Sequence, residues 1–127
     1  GMTSGTHGST FGGNPLAMTV GNAVLDILFE KDFFENVKKK GKYFDQGLNK
    51  IKKKYSKIIG EIRGLGLMKG LRMLVDNVEF MTKLEENKML TVKAEENVIR
   101  LFPPLIINNN ELDEATNKIE KVCKEMS

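Results

Sequence analysis

From Pro15 onward the apolar positions fall at helical spacing. Leu16, Val20, Ala23, Val24, Ile27 and Leu28 form one stripe, which predicts a first helix. Asn14 ahead of it is a capping residue type, and Pro15 suits the first helical position, where its missing N–H has no partner to lose. A second stripe runs through Phe33, Val37, Phe44, Leu48, Ile51, Tyr55 and Ile58. It predicts a long amphipathic helix beginning near Asp32, a candidate cap, with most lysines off the stripe. Gly41 and Gly47 interrupt it. Each costs roughly 1 kcal/mol against alanine in a helix, so they mark close packing or a kink.

The pattern changes at Gly60. The stretch from Ile62 to Val75 places glycines at 64, 66 and 70 among apolar residues, which predicts a short strand, a glycine turn and a longer strand. Glycine in a strand points to a bulge or to close backbone packing. After Asp76-Asn77, residues Val78 to Asn87 predict a short helix with Phe80, Met81 and Leu84 inward. Met89–Val92 and Val98–Phe102 follow as strands around the polar turn Lys93 to Asn97, and Pro103-Pro104 stops the second. Leu105 to Ile107 reads as one more extended piece. Asn110 is the candidate cap of a last helix, with Asp113 placed to bond back, and Leu112, Ala115, Ile119, Val122 and Met126 form its stripe. The order predicts an α+β layer: a small antiparallel sheet covered by helices on one face.

Composition narrows the picture. A chain of 127 residues with 40% hydrophobic and 29% charged residues is one domain's worth and able to bury a core. No apolar run approaches the ~20 residues that cross a bilayer. The N-terminus lacks a basic-then-apolar leader. The single Cys123 excludes an internal disulfide and fits a reducing compartment, so a cytoplasmic location is the expectation. Nine lysines and one acid, Asp45, lie between Lys38 and Lys57. Without arginine and with tyrosines at core spacing, this reads as a solvated lysine face rather than a nucleic-acid surface. Gly1-Met2 resembles the scar of a cleaved expression tag. The polar loop that follows reads as the start of a piece cut from a longer chain, or of a truncated gene product.

Two places carry candidate chemistry. Gly8-Ser9-Thr10-Phe11-Gly12-Gly13-Asn14-Pro15 leads into a helix; glycines let backbone amides converge on an anion, and the hydroxyls of Ser9 and Thr10 add donors for phosphate oxygens. It lacks the Gly-Lys-Ser/Thr ending of a P-loop and the preceding strand of a dinucleotide fingerprint. Taken alone, it also reads as a plain glycine-rich connector. The second is Arg100, one of three arginines, on a strand among Val98, Ile99, Leu101 and Phe102. Its planar, permanent charge suits bidentate capture of a carboxylate; the alternatives are a solvent-facing arginine or one paired with Glu95 or Glu96. One histidine, His7, and a distant cysteine give no metal site. Cys123, beside a core stripe, reads as a small packed residue. Lys69 reads as an edge-strand or surface lysine.

Taken together, the residues resemble a known family. Gly5-Thr6-His7-Gly8-Ser9-Thr10-Phe11-Gly12-Gly13-Asn14-Pro15-Leu16-Ala17 is similar to a signature stretch of the class III, pyridoxal-phosphate-dependent aminotransferases, in particular the acetylornithine and ornithine members. Ile62-Arg63-Gly64-Leu65-Gly66-Leu67-Met68, Asn97 to Ile107 with Arg100 and Pro103-Pro104-Leu105, and Glu111-Leu112-Asp113-Glu114-Ala115 resemble three further blocks in the same order.

The resemblance implies a fold-type I enzyme, homodimeric, using pyridoxal phosphate to move an amino group between an N-acetylornithine-like donor and 2-oxoglutarate in arginine biosynthesis. It divides the chain into the scar at 1–2, a cofactor-phosphate loop at 3–14, a linking helix at 15–31 and a C-terminal small domain at 32–127. By position, Thr10 resembles the residue that reaches the cofactor phosphate of the neighbouring subunit, with Ser9 beside it, and Arg100 resembles the arginine that grips the substrate α-carboxylate. None of the seventeen lysines resembles the Schiff-base lysine in context, and the ring-pairing aspartate and ring-stacking aromatic are not found. The expectation is therefore a chain without catalytic residues, inactive and not binding the coenzyme alone. The alternative is a non-catalytic remnant that self-associates through an apolar face. No membrane or nucleic-acid partner is expected. Lys69 and Arg72 stand where the resemblance leads one to expect an apolar and an acidic residue.

Overall fold

The computed structural model describes residue 1 and residues 3–127; Met2, half of the expected tag scar, lies outside the described residues. The elements in chain order are α1 (Pro15–Leu28), α2 (Phe33–Lys54), β1 (Ile59–Leu65), β2 (Met68–Met73), α3 (Asn77–Glu86), β3 (Val92–Ala94), β4 (Val98–Leu101) and α4 (Asn109–Glu125). The chain divides into two units, Gly1–Phe34 and Glu35–Ser127.

In the first unit α1 begins as predicted. Asn14 caps it through its side chain, which accepts from the Ala17 amide at 2.9 Å. Its apolar stripe, however, is not buried: Leu16, Val20, Val24 and Ile27 are all exposed.

The second unit is built on a four-stranded antiparallel sheet in the order β1-β2-β4-β3. Side chains alternate across a strand, and along β2 Lys69, Leu71 and Met73 are buried while Met68 and Arg72 are exposed. The buried face joins Phe44, Leu48 and Ile51 of α2, Phe80 and Leu84 of α3, and Leu112, Ile119 and Val122 of α4 in one core. Helices thus cover one face, as expected. Gly41 and Gly47 mark close packing and not a kink. A Cβ at Gly41 would lie 2.7 Å from the Gly66 carbonyl oxygen, and one at Gly47 2.9 Å from Thr116 of α4.

Several sequence expectations are corrected. Asp32 has φ 66°, outside the extended region an N-cap occupies, so it does not cap α2. The β1–β2 hairpin has the longer strand first. Strand β3 starts at Val92, later than Met89, because the backbone from Asn87 to Met89 still closes the end of α3 through bonds such as Met89 N–H to the Leu84 carbonyl at 2.9 Å. Leu105 and Ile106 form a turn and not a strand. The cap of α4 is Asn108, not Asn110: Asn108 and Glu111 exchange reciprocal bonds at 3.0 and 2.8 Å, which starts the helix earlier. Lys69 is neither at an edge nor on the surface. It lies on an inner strand, 3% exposed, with its ammonium 2.7 Å from the Asp45 carboxylate; that partner on α2 is what allows a charge inside the core.

Candidate functional site

The glycine-rich loop of the first unit is ordered by short local bonds. The Thr6 hydroxyl donates to the Thr3 carbonyl at 2.7 Å and accepts from the Thr3 amide at 3.0 Å. The Asn14 side chain donates to the Phe11 carbonyl at 2.5 Å, which folds the loop back immediately before α1. Gly5 sits at φ 79°, where glycine is at ease and other residues are not. Gly12 is required by space: a Cβ there would lie 2.8 Å from the Ser9 hydroxyl oxygen. Ser9 and Thr10 are both exposed, and among the described residues their hydroxyls make no hydrogen bond within the chain. They are donors free for an outside acceptor, in the loop that precedes α1.

In the second unit Arg100 is carried on β4. It lies directly across from Gly70 on β2 and from Val92 on β3, so it projects from the sheet face opposite the helices. Its two neighbours on the strand, Ile99 and Leu101, are buried in the core and fix the backbone beneath it. Two asparagines hold the start of β4. The Asn77 side chain donates to the Val98 carbonyl at 3.2 Å. Asn97, at φ 59°, donates to the carbonyls of Met73 and Val75, each at 2.8 Å, and accepts from the Asn77 amide at 3.1 Å. Neither residue was singled out from sequence. The signal was an Asn at the end of a polar turn, a residue type that tolerates left-handed backbone.

Arg100 makes no ion pair among the described residues. Glu96, one of its two candidate local partners, is taken by Arg63 at 2.8 Å. That contact holds the exposed Glu96 carboxyl below its ordinary range. Ser9 and Thr10 stand side by side in one unit and Arg100 in the other. Lys69 is committed to Asp45. No group of three or more metal-binding side chains occurs among the described residues. No helix is long and apolar enough to cross a membrane.

Two unengaged hydroxyls on a glycine-rich turn suit a phosphate, and a partnerless arginine suits a carboxylate. The one lysine in the core is ion-paired and offers no free amine.

Solved structures sharing this fold are fold-type I aminotransferases. An ornithine aminotransferase from Plasmodium yoelii superposes with a TM-score of 0.85 and 37% identity over 99% of this chain and 34% of its own. Acetylornithine aminotransferase from Elizabethkingia anophelis superposes with a TM-score of 0.84 and 34% identity over 98% of this chain and 32% of its own. Residues 1–123 match the family described as Aminotransferase class-III, and the chain belongs to that family. Among curated relatives, acetylornithine aminotransferase of Mesorhizobium japonicum is 47% identical over 98% of this chain. Ornithine aminotransferase of Staphylococcus carnosus is 42% identical over 95% of it. The chain spans 31% and 30% of these two proteins' lengths.

Proposed function

We propose that this chain is the C-terminal part of a pyridoxal-phosphate-dependent aminotransferase that exchanges an amino group between an N-acetylornithine-like donor and 2-oxoglutarate. On this reading residues 3–14 are the cofactor-phosphate loop, 15–31 a linking helix and 32–127 the small domain. The observation that carries it is Arg100, presented without an acidic partner on a strand fixed by buried neighbours, in a chain whose relatives are acetylornithine and ornithine aminotransferases.

Bound pyridoxal phosphate supplies the electron sink that amino transfer needs. Arg100 grips a substrate carboxylate through two parallel N–H donors, which fixes orientation as well as charge. The Ser9 and Thr10 hydroxyls, with the loop amides, donate to the cofactor phosphate of a neighbouring subunit in a homodimer. Because β4 is pinned on one side by Asn77 and Asn97, the guanidinium is placed by a rigid support, which is what positioning requires. By itself the chain lacks the amine that anchors the coenzyme, a reading supported by the committed ion pair of Lys69.

The test has two arms. The purified chain, given pyridoxal phosphate, N-acetylornithine and 2-oxoglutarate, is expected to form no glutamate and to retain no borohydride-fixed coenzyme; turnover would sink the claim of inactivity. A longer polypeptide ending in this chain is expected to turn over, and its Arg100→Ala variant to lose roughly a hundredfold in kcat/KM, the scale of one lost charged hydrogen-bond pair.

A further inference from the structure

Strand β1 is one edge of the sheet, whose order is β1-β2-β4-β3. Along an antiparallel strand the N–H and C=O of one residue turn to one side and those of the next residue to the other. Two bonds at the end of β2 fix the phase. Met73 N–H donates to the Asn97 carbonyl, just before β4, and Leu74 N–H to the Ile58 carbonyl, just before β1, both at 2.8 Å. Arg72 and Gly70 therefore bond toward β1, and their register partners Glu61 and Arg63 bond toward β2. The backbone groups of Ile62, between those two, turn outward with no strand beside them.

Side chains follow the same alternation. Arg63 and Arg100 lie across from Gly70 on its two sides, and Glu61 lies across from Arg72. Opposed residues share a face, so Glu61 stands with all three arginines on the face away from the helices. Ile62 is on the other face, half-buried against the core. Edge strands are commonly guarded by proline, by lysine or by a bulge. β1 holds no proline and no lysine, and its bulge between Ile59 and Glu61 leaves Glu61 to Leu65 in unbroken register. Glu61 forms no ion pair among the described residues. Arg63 donates from one terminal nitrogen to Glu96 at 2.8 Å, which leaves other guanidinium N–H groups unspent.

We propose that β1 is an interaction edge that takes β1 of a second copy of this chain, antiparallel and centred on Ile62. In that register Ile62 meets Ile62 of the second copy through the outward backbone groups. Glu61 faces Arg63 of the second copy, and Arg63 faces its Glu61. Gly60 faces Gly64, so no side chain obstructs the approach there. The charges select this register. A shift of two residues one way opposes Glu61 to Glu61, and the other way Arg63 to Arg63; like charges directly opposed are destabilising. A shift of one residue sends Ile62 to the wrong face. The pairing joins two four-stranded sheets edge to edge. It does not use the neighbouring-subunit contact proposed for Ser9 and Thr10. One strand pair is a small interface, so the dissociation constant is expected on the order of 0.1–1 mM.

The test is sedimentation equilibrium of this chain at low salt, from about 20 µM to about 1 mM, with amide hydrogen exchange followed at the same concentrations. Association is expected over that range. Exchange of the Ile62 amide should slow several-fold as concentration rises, while that of Glu95, in an exposed turn, stays the same. Glu61→Arg and Arg63→Glu should each weaken association about tenfold, since both charge pairs turn repulsive. An equimolar mixture of the two variants should restore it, because every charge again meets its opposite. The wild-type exchange decides alone if either variant does not fold. A chain that stays monomeric up to about 1 mM overturns the proposal. So does association that leaves the Ile62 amide unchanged, or a mixture no tighter than its parts, as pairing through the exposed stripe of α1 would give.

Discussion

Lys69, 3% exposed on an inner strand, holds its ammonium 2.7 Å from the Asp45 carboxylate of α2. This pair joins the sheet to the long helix about one helical turn beyond Gly41, which meets the Gly66 carbonyl. A buried charge left without its partner is strongly destabilising, whereas replacing both partners by apolar groups is often neutral. Asp45 is partly exposed, so the lower end of the range applies. Asp45→Ala is expected to lower stability by about 2–3 kcal/mol in urea unfolding. The Lys69→Met/Asp45→Ala double variant should recover most of that loss. A double variant no more stable than Asp45→Ala alone would show that the pair is not what the aspartate contributes.

The β1–β2 hairpin separates two kinds of glycine requirement. Gly64 has φ 133° and a Cβ there would lie 2.1 Å from the Met68 carbonyl oxygen, while Gly66 has φ 57° with open space around it. Gly64→Ala meets both strain and a backbone clash, and a loss of about 3 kcal/mol or more is expected. Gly66→Ala meets strain alone, at about 1 kcal/mol. Thermal or urea unfolding of the two variants checks the order; equal losses would contradict it.

The start of α4 distinguishes Asn108, which caps the helix, from Asn110, the cap expected from sequence. Asn108 forms the capping box with Glu111, so Asn108→Ala should lower stability by about 1 kcal/mol. Asn110, already helical and exposed, should cost less than about 0.5 kcal/mol on the same change. Asn97→Gly keeps the left-handed backbone but removes three hydrogen bonds, an expected loss of about 2–3 kcal/mol.

Cys123 is wholly buried in α4, and burial, with the nearby Glu120 adding to it, pushes its thiol from 9.0 up to about 12. Between those values the unfolded chain releases a proton that the folded chain keeps, so the unfolded state binds fewer protons and stability falls as pH rises. The contribution is fully present below pH 9.0 and is lost toward pH 12. Native chain at pH 8 should react with a thiol reagent slower than urea-unfolded chain by on the order of a hundredfold. Cys123→Ala should flatten the loss of stability across that alkaline window. Equal reactivity folded and unfolded would show the thiol is not enclosed.

Periodicity located every helix, because burying one face forces a repeat of 3.6 on the residues that do it; the glycines marked the first hairpin, whereas the strand expected at Met89–Val92 shares only Val92 with β3, which runs on through Lys93 and Ala94. Its errors have local causes. Asn108 and Asn110 are the same residue type, so composition could not choose the cap, and only the reciprocal bond with Glu111 does. The candidate site was legible in part for a similar reason. Hydroxyls after glycine and an arginine among apolar residues mark donors, but their partners are not written beside them. That Glu96 takes Arg63 and leaves Arg100 without an ion pair is a contact between residues 33 apart in the chain.

The sequence alone determined the element order, the α+β class and, through its motifs, the aminotransferase family, since these depend on local spacing and residue type. The tertiary structure alone decided that Lys69 is internal, that Asn77 and Asn97 brace β4, and that three arginines share one open face. Those are facts of pairing between distant strands and helices, and the free energy of a charge depends on what the fold brings next to it.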